Sequence, residues 1–192
     1  MKHGLPACLG VLLWAGAALA QPSTPEAAAS RASAPDARPE LMALPGARLA
    51  GQARLTVWGF DIYDVRLWTP ANFSAARFAA SPLALELNYL RSFQAADIAE
   101  RSLREMRRSQ SVSDAQAAQW KAELLRVIPD VRKGDRVVGV HRPGQGASFW
   151  VNGRASGEIL DADFARLFFG VWLSPGTSEP QLRKALLAGS SE

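Results

Sequence analysis

The chain has 192 residues, 48% of them hydrophobic and 21% charged, a composition that indicates one globular domain with tails and excludes disordered and fibrous chains. The formal net charge is +4, and the 22 lysines and arginines are spread along the whole sequence. Nucleic-acid binding normally requires a clustered basic face, so no nucleic-acid partner is predicted.

Residues 1–20 have the pattern of a secretory signal peptide. A basic start at Lys2 precedes an apolar run over residues 9–19, and a small-residue cleavage site ends at Ala20. The run is shorter than the roughly 20 apolar residues that a membrane span needs, and no later segment is longer, so no transmembrane segment is predicted. Cys8 lies before the run, not after it, which argues against a lipid anchor. We expect a periplasmic or secreted protein.

Removal of residues 1–20 would exclude several chemistries. Cys8 is the only cysteine, and His3 is one of two histidines, so the processed chain would keep only His141. A thiol nucleophile, a disulfide and a Cys/His zinc cluster are then excluded. No G-x-S-x-G elbow accompanies His141, which we interpret as an exposed residue at a strand end. Phosphate-loop and dinucleotide-loop motifs are also missing, so no cofactor and no metal is predicted.

The rest of the chain divides into three parts. Residues 21–40 are rich in Ala, Pro and Ser and predict a disordered spacer, residues 41–188 a folded domain, and residues 189–192 a tail. Apolar and polar residues alternate over residues 54–58, 62–68 and 83–89, which is typical of half-buried strands.

Helical spacing follows. Residues 95–108 carry one apolar stripe, and a second helix opens at Ser113 with Gln116 three residues later, a capping box, and ends at Pro129. Strands return at residues 136–141, 148–151 and 155–160, the last two joined by an Asn152-Gly153 turn.

Two more helices close the domain. Asp161 caps the first, and a Ser178–Gln181 capping box opens the second. Hairpin-linked strands with segregated helices predict an α+β fold, an antiparallel sheet covered by helices.

Several residue groups have two interpretations. The aromatic side chains on the strands either form core or line an apolar slot. Four arginines on the first long helix either face solvent or direct one guanidinium into a cleft to bind a carboxylate: Arg101, Arg104, Arg107 and Arg108. A further set is either one buried ion network or separate capping and solvated groups: Asp64, Arg101, Glu105 and Asp135.

A series of segments, in order, resembles the bacterial chalcone isomerase-like family. These segments are residues 59–68, 85–89, 98–106, 128–131, 134–136, 149–153, 164–173 and 182–187. The resemblance implies a curved antiparallel sheet covered by helices, an open-faced β-sandwich with a cleft between its layers. Plant relatives cyclise a chalcone to a flavanone, and other members of the fold bind fatty acids.

The resemblance also implies that most catalytic groups of the plant enzymes are missing. The family arginine aligns near residues 43–44 and the family tyrosine near residues 96–97, where this chain has neither residue type. The later hydroxyl aligns near Gly170, and the strand threonine corresponds to Thr56.

We therefore predict a non-catalytic protein that binds a small apolar or amphipathic ligand, such as a fatty acid, in the cleft between sheet and helices. The predicted ligand-binding residues are Thr56, Tyr63, Trp68, Tyr89 and Arg101. Two alternatives stay open. One is an isomerase, an intramolecular lyase, with a rearranged site. The other is an envelope protein-interaction module, which an exposed apolar patch around Trp150 or Trp172 would favour.

Overall fold

The computed structural model describes residues 38–190, and the predicted signal peptide and most of the predicted spacer lie outside the described residues. Within this range, six strands form one open antiparallel sheet in which each strand pairs with its neighbour in sequence. The strands are β1 Arg48–Val57, β2 Phe60–Thr69, β3 Leu83–Tyr89, β4 Arg136–Arg142, β5 Gly146–Val151 and β6 Arg154–Ile159. The α+β class predicted from the element order is confirmed.

Helices cover one face of this sheet. The described α-helices are α1 Ala95–Ser109, α2 Asp114–Val127, α3 Ala162–Leu173 and α4 Pro180–Leu186, with short 3-10 helices at Pro39–Ala43 and Ala75–Ala80. Inward side chains of β2 and β3, such as Val65 and Leu85, join the apolar faces of the helices in one large core. The predicted stripe of α1 is confirmed, since Ala99 and Met106 are among its buried residues.

Side-chain caps fix where two helices begin. Ser113 accepts a hydrogen bond from the Gln116 amide at 3.2 Å, and Asp161 accepts one from the Phe164 amide at 2.9 Å. The second Asp161 oxygen accepts a 2.8 Å hydrogen bond from the Trp120 indole of α2, so this carboxylate also ties α2 to the start of α3. These two caps agree with the sequence prediction.

The capping box predicted at Ser178 and Gln181 is wrong. Helix α4 begins one residue later, with Glu179 in the N-cap position and without a side-chain cap. Instead, the Thr177 hydroxyl accepts a 3.1 Å hydrogen bond from the Glu179 amide. Pro180 at the first helical turn presets the backbone and has no amide to satisfy, so a serine cap is not needed there.

Strand β1 begins at Arg48, earlier than predicted. The prediction missed its first half because apolar and polar residues do not alternate there. This half includes Gly51, where a Cβ atom would lie 2.3 Å from the carbonyl oxygens of Ala185 and Leu186. The missing side chain lets the end of α4 pack directly on the strand backbone. The pattern of side chains therefore could not reveal this half of the strand, which the helix covers by close backbone approach.

The opposite, outer face of the sheet is partly covered by the chain leading into β1. Leu44 is buried there against Ala84, Val138 and Val140, and Trp68 packs on the edge of this second cluster. The short 3-10 helix that begins at Pro39 belongs to the same layer, and its Glu40 side chain is buried and pairs with Arg136, so the fold begins before the predicted bound at residue 41. It also extends past residue 188, since the Gly189 amide donates to the Ala50 carbonyl at 2.9 Å.

A buried carboxylate holds this outer layer to the sheet. The side chain of Glu86 on β3 is only 1% exposed and pairs with Arg38 and Arg66, each at 2.8 Å. The Trp68 indole and the Asn88 amide donate to the same carboxylate at 3.1 and 3.2 Å. Burial alone would raise the pKa of Glu86, but these hydrogen bonds outweigh it and hold the pKa below its usual value.

We expect substitution of Glu86 to destabilise the fold strongly. Glu86→Gln leaves two arginines facing a neutral group, and the loss of one partner of a buried pair typically costs about 3 kcal/mol or more in the free energy of unfolding. Urea unfolding at neutral pH measures this difference. Glu123→Gln is the matched control because it breaks only the exposed pair with Arg126 and should change stability little.

The stability difference between the wild type and Glu86→Gln should also depend on pH. Since the folded pKa of Glu86 is lowered, its ionisation stabilises the fold above the ordinary value of 4.5, and this stability is lost as the pH falls through the folded pKa. The advantage of the wild type over Glu86→Gln should therefore shrink below about pH 4.5. An advantage that is unchanged down to strongly acidic pH would contradict the ionic role of Glu86.

Candidate functional site

An apolar pocket lies between the first three strands, α1 and the end of α3. Its volume is about 300 Å³, at the lower end of the range for ligand pockets. The side chains around it are mainly aliphatic and aromatic, with a few polar groups between them. They are Leu55, Val57, Ile62, Tyr63, Leu87, Tyr89, Phe93, Asp97, Ile98, Arg101, Ser102, Glu105, Val171, Trp172, Ser178 and Glu179.

Strand register places the pocket floor. Leu55 of β1 lies opposite Tyr63 of β2, and Tyr63 lies opposite Tyr89 of β3. Residues in register share one face of an antiparallel sheet, so these three side chains form a row beneath α1. A bulge between β1 and β2 leaves Ile62 as an extra residue, which allows the consecutive Ile62 and Tyr63 both to reach the pocket.

Two phenols stand inside the pocket. The rings of Tyr63 and Tyr89 meet edge to face with centroids 6.0 Å apart, and Phe93 lies 5.9 Å from Tyr89. The Trp172 indole donates a 3.0 Å hydrogen bond to the Tyr63 oxygen. No side chain or backbone group within residues 38–190 makes a hydrogen bond to the Tyr89 hydroxyl, which leaves it available to a ligand.

Burial controls the proton affinity of both phenols. It raises the pKa of Tyr63 to about 12, although the hydrogen bond from Trp172 acts in the opposite direction. Burial also raises the pKa of Tyr89, and the neighbouring Tyr63 adds to this effect. Both groups are therefore neutral hydrogen-bonding groups at physiological pH.

Charged side chains lie along the α1 side of the pocket. Arg101 is half-exposed and pairs with Glu105 one turn further on, at 3.0 Å. Arg108, which is not a lining residue, approaches the same carboxylate at 3.5 Å. The guanidinium of Arg101 is thus held by a carboxylate at the point where the apolar pocket meets solvent.

Three of the five predicted ligand-binding residues line this pocket, and two do not. Tyr63, Tyr89 and Arg101 meet beneath α1. Thr56 lies on the outer face of β1, where its hydroxyl donates to Asp61 at 2.8 Å. Trp68 also points to the outer face and donates to Glu86. The placement of Thr56 and Trp68 in the cleft is corrected, because each is one residue out of step with the inward side chains.

Sequence reasoning also missed most of the pocket wall. Val171 and Ile98 lie on the apolar stripes of their helices, and Leu55 lies on the apolar face of β1. Their apolar periodicity was visible, but a stripe that lines a cavity has the same spacing as one that packs solid. Trp172 carried a clearer signal, since a buried indole needs a hydrogen-bond acceptor, here Tyr63.

The interpretation of His141 as an exposed residue is wrong. His141 is 2% exposed, and its Nδ1 atom lies 3.0 Å from the Ser81 carbonyl oxygen. Its ring packs against Phe169 of α3 at 5.1 Å. Burial lowers the pKa of His141, so the imidazole is neutral at physiological pH. It belongs to the core and lies apart from the pocket lining.

The proposed single ion network does not form. Asp64 pairs with Arg54 at 2.7 Å, while Asp135 accepts hydrogen bonds from the Arg132 amide and the Asn152 side chain. These contacts are separate from the Arg101–Glu105 pair. The alternative of separate capping and solvated groups is the one that the structure supports.

Residues 38–190 contain no group of three or more His, Cys, Asp and Glu side chains that could hold a metal ion. Across the same residues, no helix is long and apolar enough to cross a membrane. The candidate site is thus an apolar pocket with two phenols inside it and an ion pair at its edge.

An open antiparallel sheet, covered on one face by helices with an apolar pocket between the layers, defines an α+β class of pocket-bearing domains. The family comparison makes the assignment more specific. The model of the chalcone isomerase-like family matches residues 46–188, and the chain belongs to this family.

Two relatives are informative. A Haemophilus influenzae protein described as uncharacterized is 25% identical over 138 residues, which are 71% of this chain and 66% of that protein. The match thus spans just under two thirds of the relative. The crystal structure of a fatty-acid binding protein from Arabidopsis thaliana is similar, with a TM-score of 0.58 over 74% of this chain and 87% of that one. At 13% identity, it shows a common fold.

We expect the two pocket tyrosines to resist alkaline titration. Tyr63 and Tyr89 are the only tyrosines in the chain, so all tyrosinate absorbance comes from the pocket. In the folded protein it should appear only near pH 12, not near the ordinary value of 10. The neutral phenols stabilise the fold below pH 10, and this stability is lost as the pH rises towards 12.

Ultraviolet absorbance across an alkaline titration measures this shift, with denaturant-unfolded protein as the control that titrates at the ordinary value. Tyrosinate formation near pH 10 in the folded protein would show that the phenols are open to water, and would contradict their burial in the apolar pocket.

Proposed function

We propose that this chain is an exported, non-catalytic binding protein for a small apolar or amphipathic ligand. The observation that carries the proposal is the apolar pocket beneath α1, whose volume of about 300 Å³ suits one small molecule or one alkyl chain of the kind that a fatty acid carries. The signal-peptide pattern of residues 1–20 supports export to the periplasm or the medium.

The polar groups suggest how an amphipathic ligand would be oriented. Its apolar part would contact Leu55, Leu87 and Ile98, and its polar end would lie near Arg101, where the pocket opens. The free Tyr89 hydroxyl would supply a hydrogen bond inside the pocket. The fatty-acid binding function of the Arabidopsis relative agrees with this arrangement.

An isomerase with a rearranged site has less support. The pocket has two phenols with raised pKa, but such groups neither accept nor release a proton readily near neutral pH. Thr56, which corresponds to the strand threonine of the family, lies outside the pocket lining, where its hydroxyl donates to Asp61.

The protein-interaction alternative also has less support, because neither tryptophan forms the exposed patch that it requires. Trp172 is buried in the pocket wall, and Trp150 is half-buried against the outer apolar cluster. An envelope protein partner therefore has no exposed patch at either tryptophan to bind.

Native mass spectrometry of protein exported to a bacterial periplasm tests the ligand-binding proposal. We expect a discrete added mass that organic extraction identifies as an apolar or amphipathic compound. Val171→Phe should strongly reduce the fraction of protein that carries this added mass, because the larger ring occupies the pocket. Leu125→Phe, on an exposed part of α2 outside the pocket lining, is the matched control. An unliganded mass that persists after incubation with fatty acids and flavonoids would contradict the proposal.

A second variant pair tests the polar end. If the bound compound is an anion, Arg101→Gln should weaken its binding by about tenfold, the usual effect of losing one charge-assisted hydrogen bond. Arg104→Gln, on the same helix and outside the pocket lining, should leave affinity unchanged. Titration calorimetry with the extracted compound measures both. Equal affinities of the wild type and Arg101→Gln would show that Arg101 does not contact the bound anion.

A further inference from the structure

The turn between β1 and β2 carries an exposed aromatic pair. Trp58 is 94% exposed and Phe60 is 56% exposed, side by side at the tip of the hairpin. The Arg91 guanidinium lies over the Phe60 ring at 4.6 Å. Together these three residues, which we call the hairpin tip, form an apolar and cationic projection from the domain.

The backbone of this turn indicates that Trp58 does not serve folding. Trp58 has a φ of 50° and Gly59 a φ of 80°, both in the left-handed region. The β5–β6 hairpin has the same geometry, with φ of 51° at Asn152 and 78° at Gly153. Asparagine tolerates this conformation, whereas a bulky side chain is disfavoured in it. Trp58 therefore occupies the position of the favoured asparagine at an energetic cost, and its ring packs on almost nothing.

The hairpin tip also stands beside the pocket. Val57, directly before Trp58, lines the pocket, and so does Ile62, the extra residue of the bulge that follows. The two strands that form the pocket floor thus continue directly into the exposed aromatic residues. Whatever the tip contacts therefore lies next to the end of the pocket that Val57 and Ile62 line.

We propose that the hairpin tip inserts into the interfacial region of a lipid bilayer and places the pocket at the membrane surface. An indole has an apolar body and a polar N–H, and such side chains favour the headgroup level of a membrane. The Arg91 guanidinium would meet lipid phosphates there. The membrane contact follows from the hairpin tip and does not depend on a ligand. Uptake of a ligand from the bilayer, in contrast, rests on the function proposed above.

Vesicle sedimentation of the processed, exported protein tests this. The vesicles contain either phosphatidylcholine alone or phosphatidylethanolamine with phosphatidylglycerol. Trp58→Asn is the central variant, since it restores the residue preferred in this turn. We expect its affinity for vesicles to fall about tenfold, because the apolar contact is lost. The midpoint of unfolding should not decrease, because asparagine suits this turn. Arg91→Gln should lower binding to the anionic vesicles by about fivefold.

Leu160→Asn is the matched control, because Leu160 is 73% exposed in the loop between β6 and α3, away from the hairpin tip. It should bind vesicles like the wild type. No vesicle binding by the wild type, or equal binding by Trp58→Asn, would overturn the proposal.

Native mass spectrometry of the same preparations separates the two proposals. A bound ligand without vesicle binding would reject only the membrane contact, and vesicle binding by a protein that stays empty would reject only the ligand-binding function.

Discussion

The pairing of β2 with β3 determines both faces of the molecule. Its register places Tyr63 opposite Tyr89 and Arg66 opposite Glu86. Because side chains alternate along a strand, the first pair faces the helices and the second pair faces the outer layer. A slip by one residue would move the phenols to the outer face and place a carboxylate in the apolar core. The pocket and the buried ion cluster are thus fixed by one ladder of hydrogen bonds.

The pocket combines an apolar interior with polar groups that are already partly satisfied. Tyr63 is held by the Trp172 indole, and Arg101 is held by Glu105, so neither group has to reorganise far to meet a ligand. Such preorganisation lowers the entropic cost of binding. It also explains why the pocket can stay apolar without leaving these two side chains unpaired. This preorganisation agrees with the binding role proposed for the chain.

Local patterns predicted most of this fold and only part of the site. Alternation and helical stripes gave the strands and helices in the right order, and short polar signals gave the caps at Ser113 and Asp161. Alternation also contained the information that Trp68 faces away from Tyr63, because five positions separate them on one strand. The bulge at Ile62 depends on pairing with β1 and leaves no local pattern. The burial of His141 depends on helices that are distant in sequence.

The entry of the chain at Arg38 has a mechanical consequence. Arg38 and Glu40 hold the first described residues to the middle strands β3 and β4 through their pairs with Glu86 and Arg136, rather than to an edge of the sheet. Tension applied from the N-terminal side therefore meets two buried ion pairs before it reaches β1. A pull on a sheet edge separates hydrogen bonds one after another, whereas a pull on its centre must break these contacts together. The domain is anchored so that it resists extension at the end where the predicted spacer joins it.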